Sequence, residues 1–430
     1  MPATLRARPS ASHHTHSGCE QPRETQHLAR KGSSDKIRSP MQDSLFGDDL
    51  PPPPAPSPAP PGPATESPAA APRRRPRAGG VHPIEPDPGL LALAAALPQQ
   101  LRLGGSSWSY PGWKGLVWEG EHSESTLARQ GLAAYARHPL MRTVSIDRGF
   151  YKPLTVSQYA GYASQVPDDF RFIVKAPSLV TDALVRAEDG RGRAPNPAFL
   201  DPALALQEFV APALEGLGAK IGALVFQLSP LPLAQLHRLE GTIAQLGALL
   251  RAMPPLAPAA PDGVLAVEVR DPEWLSPEYE PLFAEALLSA GATYCLGLHA
   301  KMPPLEEQLR LLRRLWPGPL VCRWNLNPVH GAYGYEEAEA LYSPFDRVVH
   351  PAPEVHALLA RTLAGITGRG QNAFVAISNH AEGCAPITIR TLAGEVAALQ
   401  GHRPPASAAT GGDPAPNADA DPESDDGSKA

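Results

Sequence analysis

The chain has 430 residues and a formal net charge of −6, and many of its 52 prolines fall in the first hundred residues, so roughly three hundred residues remain for a folded part. The charge gives no global argument for nucleic-acid binding, and four cysteines without CxxC spacing exclude a zinc-finger pattern and favour a reducing cytoplasm. No apolar run approaches the roughly twenty residues of a membrane helix, and the N-terminus has no signal-peptide pattern, so we expect a cytoplasmic protein without membrane contacts.

Residues 1–97 are rich in Ser, His, Pro, Ala and Arg and contain almost no aromatic side chains. Such a segment cannot bury enough apolar area to offset its chain entropy, so we predict that it is disordered. Met41 opens the stretch MQDSLFGDD, which reads like a natural beginning. Met1 and Met41 are therefore alternative start sites.

A short peptide in this tail resembles a known docking motif. Gln42, Leu45 and Phe46 match the Gln-x-x-Leu-Phe pattern by which bacterial DNA-repair and replication proteins bind the sliding clamp. A Leu-Phe pair in a disordered tail can anchor in an apolar groove. The alternative is a chance apolar pair.

From residue 100 onwards, strand-like apolar runs alternate with helical patterns. The eight predicted strands lie at residues 101–103, 143–147, 170–175, 221–228, 264–269, 293–299, 320–324 and 374–377. Helices are predicted at residues 125–137, 155–167, 202–215, 231–252, 276–291, 305–316 and 355–366, and a last one runs through residue 396. Thr155 and Gln158 have capping-box spacing.

These strands indicate the fold class. Continuous apolar strands are typical of a parallel sheet that helices cover. Eight β/α units in about three hundred residues fit a closed barrel better than an open doubly wound sheet, because Gly104 and Gly105 lack the spacing of a dinucleotide fingerprint. We therefore predict an α/β fold, a (β/α)8 TIM-like barrel at residues 98–400, with disordered tails at residues 1–97 and 401–430.

The C-terminal strand ends of such a barrel form one rim, where functional groups cluster. Glu268 and Arg270 stand two residues apart in the fifth strand and therefore share a face. A charged side chain in a buried segment is destabilising unless it is paired or functional. This pair is therefore either a structural ion pair or part of a functional site. Other strand ends are also polar or aromatic: Trp108, Trp113, Asp147, Lys175, Gln227, His299, Arg323, Asn325, Asn379 and His380.

This composition indicates a site for an anion. The cations Lys175, Arg270 and Arg323 suit a phosphate ester or a carboxylate, and Glu268 is a candidate general base or acid. We predict that Glu268, Lys175 and Asp147 are catalytic. The predicted substrate-binding residues are Trp108, Trp113, Tyr151, Gln227, Arg270, Arg323, Asn379 and His380.

Other chemistries receive less support. A desolvated Lys175 is a candidate for a covalent imine, which the charge of Arg270 would favour and that of Glu268 would oppose. His299, His380, Glu268 and Asp147 show no metal-ligand spacing, so we predict no metal site, and no cofactor is identified. The chain has no G-x-S-x-G, HExxH or Walker motif.

Six sequence blocks carry a resemblance to a known family: residues 104–113 (GGSSWSYPGW), 144–151 (VSIDRGFY), 170–177 (FRFIVKAP), 224–230 (LVFQLSP), 266–274 (AVEVRDPEW) and 377–386 (ISNHAEGCAP). In these blocks the chain resembles the YecE-like family, domain of unknown function 72. The resemblance implies a (β/α)8 barrel of unestablished activity.

The chain departs from the pattern of that family in two places. Its second strand usually reads V-E-x-N, where this chain has Ser145 and Asp147, and its seventh strand usually reads Arg-x-His-Gly, where Asn325 and Leu326 follow Arg323 and Trp324. A role that depends on that carboxylate or imidazole is therefore altered or absent here, and whether this copy is active stays open.

Together these features lead to two functional hypotheses. The first is a cytoplasmic barrel that binds a small anionic ligand, phosphate-bearing or nucleic-acid-derived, at its rim and acts on it by acid–base chemistry. If it is an enzyme, it is a hydrolase or lyase of phosphate-bearing substrates. The alternative is a non-catalytic accessory module of DNA metabolism, tethered to the sliding clamp through residues 42–46.

Overall fold

The computed structural model describes residues 80–186, 192–331 and 334–401. Met41 and the clamp-binding peptide, Gln42, Leu45 and Phe46, lie outside these ranges, as does nearly all of both predicted tails. The tethering hypothesis therefore stays a prediction.

Eight parallel strands close into a barrel, which confirms the predicted fold class. Each strand pairs with the next one along the chain, and the last pairs with the first. The barrel strands are β1 (Leu101–Gly105), β2 (Thr143–Ile146), β3 (Arg171–Lys175), β6 (Ile221–Gln227), β7 (Val264–Glu268), β8 (Thr293–Leu298), β9 (Leu320–Trp324) and β10 (Ala373–Ile377). An antiparallel hairpin of β4 (Leu184–Arg186) and β5 (Gly192–Pro195), which the sequence did not indicate, lies between β3 and β6.

Helices connect the barrel strands. The predicted capping box is present, since the Gln158 amide donates to Thr155 Oγ1 and the Thr155 amide donates to Gln158 Oε1. The described helices are Pro88–Ala95, Glu124–Gln130, Leu132–Tyr135, Val156–Ala163, Ser178–Thr181, Pro202–Ala205, Ala211–Leu217, Leu233–Leu236, Leu239–Ala252, Glu280–Leu288, Leu305–Arg314, Tyr335–Tyr342, Pro353–Thr367 and Ala385–Gly401. None of them is long and apolar enough to cross a bilayer.

The folded part begins before the boundary that we predicted at residue 98. Asp87 caps the helix Pro88–Ala95 by accepting a hydrogen bond from the Leu90 amide at 2.8 Å. Leu90 is buried in the main core, and Asp87 lies 3.7 Å from Arg390 of the last helix. Proline is tolerated at the start of a helix, so the proline-rich composition did not prevent this segment from folding.

The barrel interior has its own apolar layer. Nine buried side chains form a cluster separate from the larger core. They include Ile173, Val225, Ala266, Cys295 and Val321, one from each of five strands. Successive inward positions on a strand are two residues apart. The side chains two positions after these apolar residues therefore form the next layer towards the C-terminal rim.

An ion-pair cluster closes the N-terminal end of the barrel. Asp262 accepts hydrogen bonds from Arg102, Arg171 and Asn372. Burial alone would raise the pKa of Asp262, but the hydrogen bonds from Arg171 and Asn372 and the charge of Arg102 lower it. The charged groups at this end of the barrel therefore pair with one another.

Candidate functional site

A polar layer lies directly above the apolar interior. Its residues stand two positions after the inward apolar residues, on β3, β6, β7, β8 and β9 respectively: Lys175, Gln227, Glu268, Gly297 and Arg323. Asp147 follows β2, two positions after the buried Ser145, which is in register with Ile173. The predicted convergence of strand ends thus brings four charged side chains and a glutamine into one layer.

Glu268 lies at the centre of this layer with none of its surface exposed. Its Oε1 accepts from Arg270 Nη2 at 2.7 Å and from Asn325 Nδ2 at 3.3 Å, and its Oε2 accepts from Arg323 Nη1 at 2.7 Å. Burial opposes ionisation, but the charges of Arg270 and Arg323 outweigh it and lower the pKa of Glu268. Glu268 is therefore an ionised, fully coordinated carboxylate.

The two guanidinium groups are held in fixed positions. Gln227 Oε1 accepts from Arg323 Nη1 at 2.8 Å and from Arg270 Nη2 at 2.9 Å. Arg323 Nη2 also donates to Asp147 Oδ2 at 2.5 Å, and the charges of Asp147 and Glu268 raise the pKa of Arg323 despite its burial. Two buried polar atoms remain unpartnered here, Asp147 Oδ1 and Arg270 Nε.

Lys175 differs from its charged neighbours because its ammonium is unpaired. The Nζ atom lies 3.5 Å from the centroid of the Phe150 ring, a cation–π contact. In the described part of the chain it has no hydrogen bond or salt bridge. The side chain is neither fully buried nor exposed.

The surroundings of Lys175 favour its neutral form. Burial is the largest cause, and it lowers the pKa of the ammonium from 10.5 to about 7. Asp147 and Glu268 oppose this change, whereas Arg323 and Arg270 reinforce it. At neutral pH, Lys175 is therefore divided between its charged and neutral forms.

Aromatic and imidazole rings border the polar layer. The ring centroid of Tyr335 lies 5.7 Å from that of His299 and 5.5 Å from that of His380. Burial and the charge of Arg270 lower the pKa of His299 to about 4, so its ring is neutral. His380 pairs with Glu339 at 2.9 Å.

Sequence reasoning missed Tyr335 and Glu339. Both belong to the helix Tyr335–Tyr342, which follows the C-terminal end of β9. Their position after a barrel strand was the available signal, but a tyrosine-rich connection has no strand or helix periodicity that would orient its side chains.

Several predicted binding residues lie around the polar layer rather than in it. Trp113 is fully buried and donates from Nε1 to Asn379 Oδ1 at 3.2 Å, and the same oxygen accepts from the Ala385 amide that begins the last helix. Trp108 is buried against Tyr162. Trp113 and Asn379 thus join the β1 loop to the last β/α unit, and their substrate-binding roles stay predictions.

Tyr151, unlike the buried Trp113 and Trp108, is exposed. It is 59% exposed, beside the turn Arg148–Phe150 that carries the ring under Lys175. Its side chain is accessible to a ligand or partner, and its predicted role is likewise untested.

Two of the residues that depart from the family pattern, Asn325 and Ser145, lie inside the barrel. Asn325 donates to Glu268, so an amide here supports the central carboxylate. Ser145 is buried, and its Oγ has no partner within the described residues. The carboxylate that the family pattern has on β2 is therefore missing, but Asp147, one side-chain layer nearer the rim, supplies a negative charge to Arg323.

The described residues contain no cluster of three or more His, Cys, Asp or Glu side chains that could hold a metal ion. A cavity of about 400 Å³ lies at the other end of the barrel, lined in part by Gln99, Arg142 and Pro167. There Arg142 is occupied by the Gln99 and Leu101 carbonyls and by Asp169. The unpaired charge and the unpartnered atoms thus favour the C-terminal rim as the candidate site.

A family model described as a protein of unknown function, DUF72, matches residues 102–410. A solved DUF72 family protein from Enterococcus faecalis V583 is 16% identical, with 69% of this chain and 95% of that chain covered and a TM-score of 0.45. One from Thermotoga maritima MSB8 is 16% identical, with 69% and 98% covered and a TM-score of 0.40. No curated protein matches. Because the family model spans most of the chain, the protein belongs to the DUF72 family.

Proposed function

We propose that the C-terminal rim binds an anionic ligand beside Lys175 and that this lysine transfers a proton to or from it. The observation that carries the proposal is the unpaired ammonium of Lys175 in a layer whose other charges pair with one another. Lys175, Arg323 and the adjoining Arg270 face two carboxylates, so the layer together with Arg270 holds one excess positive charge when Lys175 is protonated. A ligand anion would neutralise this charge.

The roles of the individual groups follow from their contacts. Lys175, with a pKa of about 7, is suited to give or accept a proton at neutral pH. Glu268 has both oxygens occupied and a lowered pKa, so we assign it a positioning role, in place of the acid–base role that its sequence context suggested. Asp147 keeps one unpartnered oxygen and is the second candidate proton carrier.

The reaction class follows from these roles. Proton transfer next to a bound anion suits an elimination or isomerisation of a phosphorylated or carboxylated small molecule, in which a carbon-bound proton is removed. Arg270, beside Lys175, supplies a charge for the anionic group of such a substrate.

The test measures sulfate binding by calorimetry at about pH 6 and pH 9 at constant ionic strength, because sulfate keeps its charge across this range. We expect affinity to fall by up to about tenfold per pH unit above 7, as Lys175 loses its proton. Lys175→Met should bind weakly at both pH values, whereas Lys175→Arg should bind without this pH dependence.

The exposed lysine at position 114, which pairs with Glu121, provides the matched control. Lys114→Met should behave as the wild type does. Equal sulfate affinity at both pH values in the wild type, or unchanged binding by Lys175→Met, would exclude Lys175 from the anion site.

A further inference from the structure

The environment of Lys175 suits a further role for its nitrogen besides proton transfer. One side of its Nζ atom faces the Phe150 ring at 3.5 Å. The charged groups that act on it are Asp147 after β2, Glu268 and Arg270 from β7 and its end, and Arg323 from β9. Because these four groups pair among themselves, the nitrogen keeps its lone pair available whenever it is deprotonated.

Two other lysines of the barrel lack this combination. Lys220 donates to the carbonyls of Ala163 at 2.9 Å and Val166 at 2.6 Å. Lys114 is exposed and paired with Glu121 at 2.8 Å. An ammonium held by such partners is a poor nucleophile. Of these three lysines, Lys175 alone combines partial burial with an unpaired nitrogen.

We infer that Lys175 forms an imine with an aldehyde or ketone that also carries a carboxylate or phosphate group. The inference rests on the proposed function, because the anionic group of the carbonyl compound must bind at the same place, and the protonated imine restores the excess positive charge that the neutral amine lacks. It deepens that function by naming the substrate class, anionic carbonyl compounds, and the bond that forms.

The step balances with groups already present. The neutral Nζ attacks the carbonyl carbon, a C–N bond forms, and the carbonyl π electrons move to oxygen, which takes up a proton. The nitrogen then loses a proton, and the hydroxyl group takes up another and leaves as water while the C=N bond forms. Asp147, whose Oδ1 has no hydrogen-bond partner and whose charge acts on Lys175, is the group that we assign to carry these protons.

The finished adduct also fits the charges of the layer. A protonated imine has the same charge as the ammonium that it replaces, so the pairing of Glu268 with Arg270 and Arg323 is not disturbed. The α-proton of an imine is more acidic than that of the parent carbonyl compound, so the adduct assists the proton removal proposed for this site.

The test is trapping with sodium cyanoborohydride at about pH 7.5 with glyoxylate, dihydroxyacetone phosphate and the neutral control dihydroxyacetone. Hydride transfer to the imine carbon leaves a stable secondary amine, which peptide mass spectrometry locates. We expect labelling of Lys175 to be at least about tenfold faster than that of Lys114, since a much larger fraction of its nitrogen is neutral. Glyoxylate and dihydroxyacetone phosphate separate a carboxylate from a phosphate preference.

Each outcome decides the inference. Preferential labelling of Lys175 by either anionic probe over dihydroxyacetone supports it, and Lys175→Arg should remove this label while Lys114 labelling continues. Labelling of Lys175 no faster than that of Lys114, or equal labelling by dihydroxyacetone, overturns it. If sulfate binding depends on pH as expected and no trapping occurs, the imine is wrong while the proton-transfer proposal survives. Failure of both experiments removes the site itself.

Discussion

Glu268→Gln should lower the free energy of unfolding by about 3 to 5 kcal/mol, the range measured when one partner of a buried ion pair is removed. The glutamine side chain has nearly the same volume, so the loss is not a packing effect. It arises because Arg270 and Arg323 stay buried after their shared carboxylate is gone, with Asp147 as the remaining negative partner of Arg323. Urea unfolding of the variant and the wild type measures the difference.

The matched control for this variant is Glu307→Gln. Glu307 pairs with Arg310 on the surface of one helix, with both side chains about half exposed, and surface pairs contribute little. We expect no measurable change in its unfolding midpoint. If Glu268→Gln is as stable as the control, the central carboxylate does not hold the layer together, and its positioning role is wrong.

Lys175→Met should remove a pH dependence of stability that the wild type shows above about pH 7. Between the folded pKa of about 7 and the ordinary value of 10.5, the unfolded lysine carries a proton that the folded one has lost. Raising the pH through this window therefore favours folding of the wild type. Below about pH 7, Lys175 is protonated in both the folded and the unfolded protein, and the buried charge lowers the stability of the folded protein by its full amount. We expect the variant to be more stable than the wild type at pH 6, by an amount on the order of a few kcal/mol, and the two to converge towards pH 10.

Chemical unfolding of both proteins from pH 6 to pH 9 checks this expectation, and the difference between them removes the contributions of other titrating groups. Lys114→Met serves as the comparison, because its ammonium is exposed. A constant difference between Lys175→Met and the wild type over this range would mean that Lys175 keeps its ordinary ionisation in the folded protein.

Much of the barrel could be predicted from the sequence because its strands are buried on both faces. Continuous apolar runs mark such strands directly, and all eight are present. The hairpin of β4 and β5 was missed because its strands are short and Val185 is exposed, so no apolar run marks it. The helix Pro88–Ala95 was missed because its proline-rich context outweighed the capping residue Asp87 and the core residue Leu90.

The sequence predicted which residues belong to the site better than which of them contact one another. Strand periodicity indicated that Glu268 and Arg270 point the same way, and they are in contact at 2.7 Å. The contact of Glu268 with Arg323 depends on the position of β9 in the closed barrel, which no local pattern encodes. No local pattern predicts that Lys175 lacks a partner either, because this depends on how the side chains of the layer are arranged in the closed barrel.

The central claim is that Lys175 is an unpaired lysine that titrates near neutral pH. The most direct measurement is NMR of protein labelled with ¹³C-lysine, in which the Cε and Hε resonances are followed from pH 5 to pH 11. The chain contains only eight lysines, and Lys175→Arg identifies the resonance in question. We predict that this resonance titrates with a midpoint near 7, well below the ordinary value of 10.5 for lysine. A midpoint for Lys175 close to that ordinary value would contradict the proposed proton transfer and the imine alike.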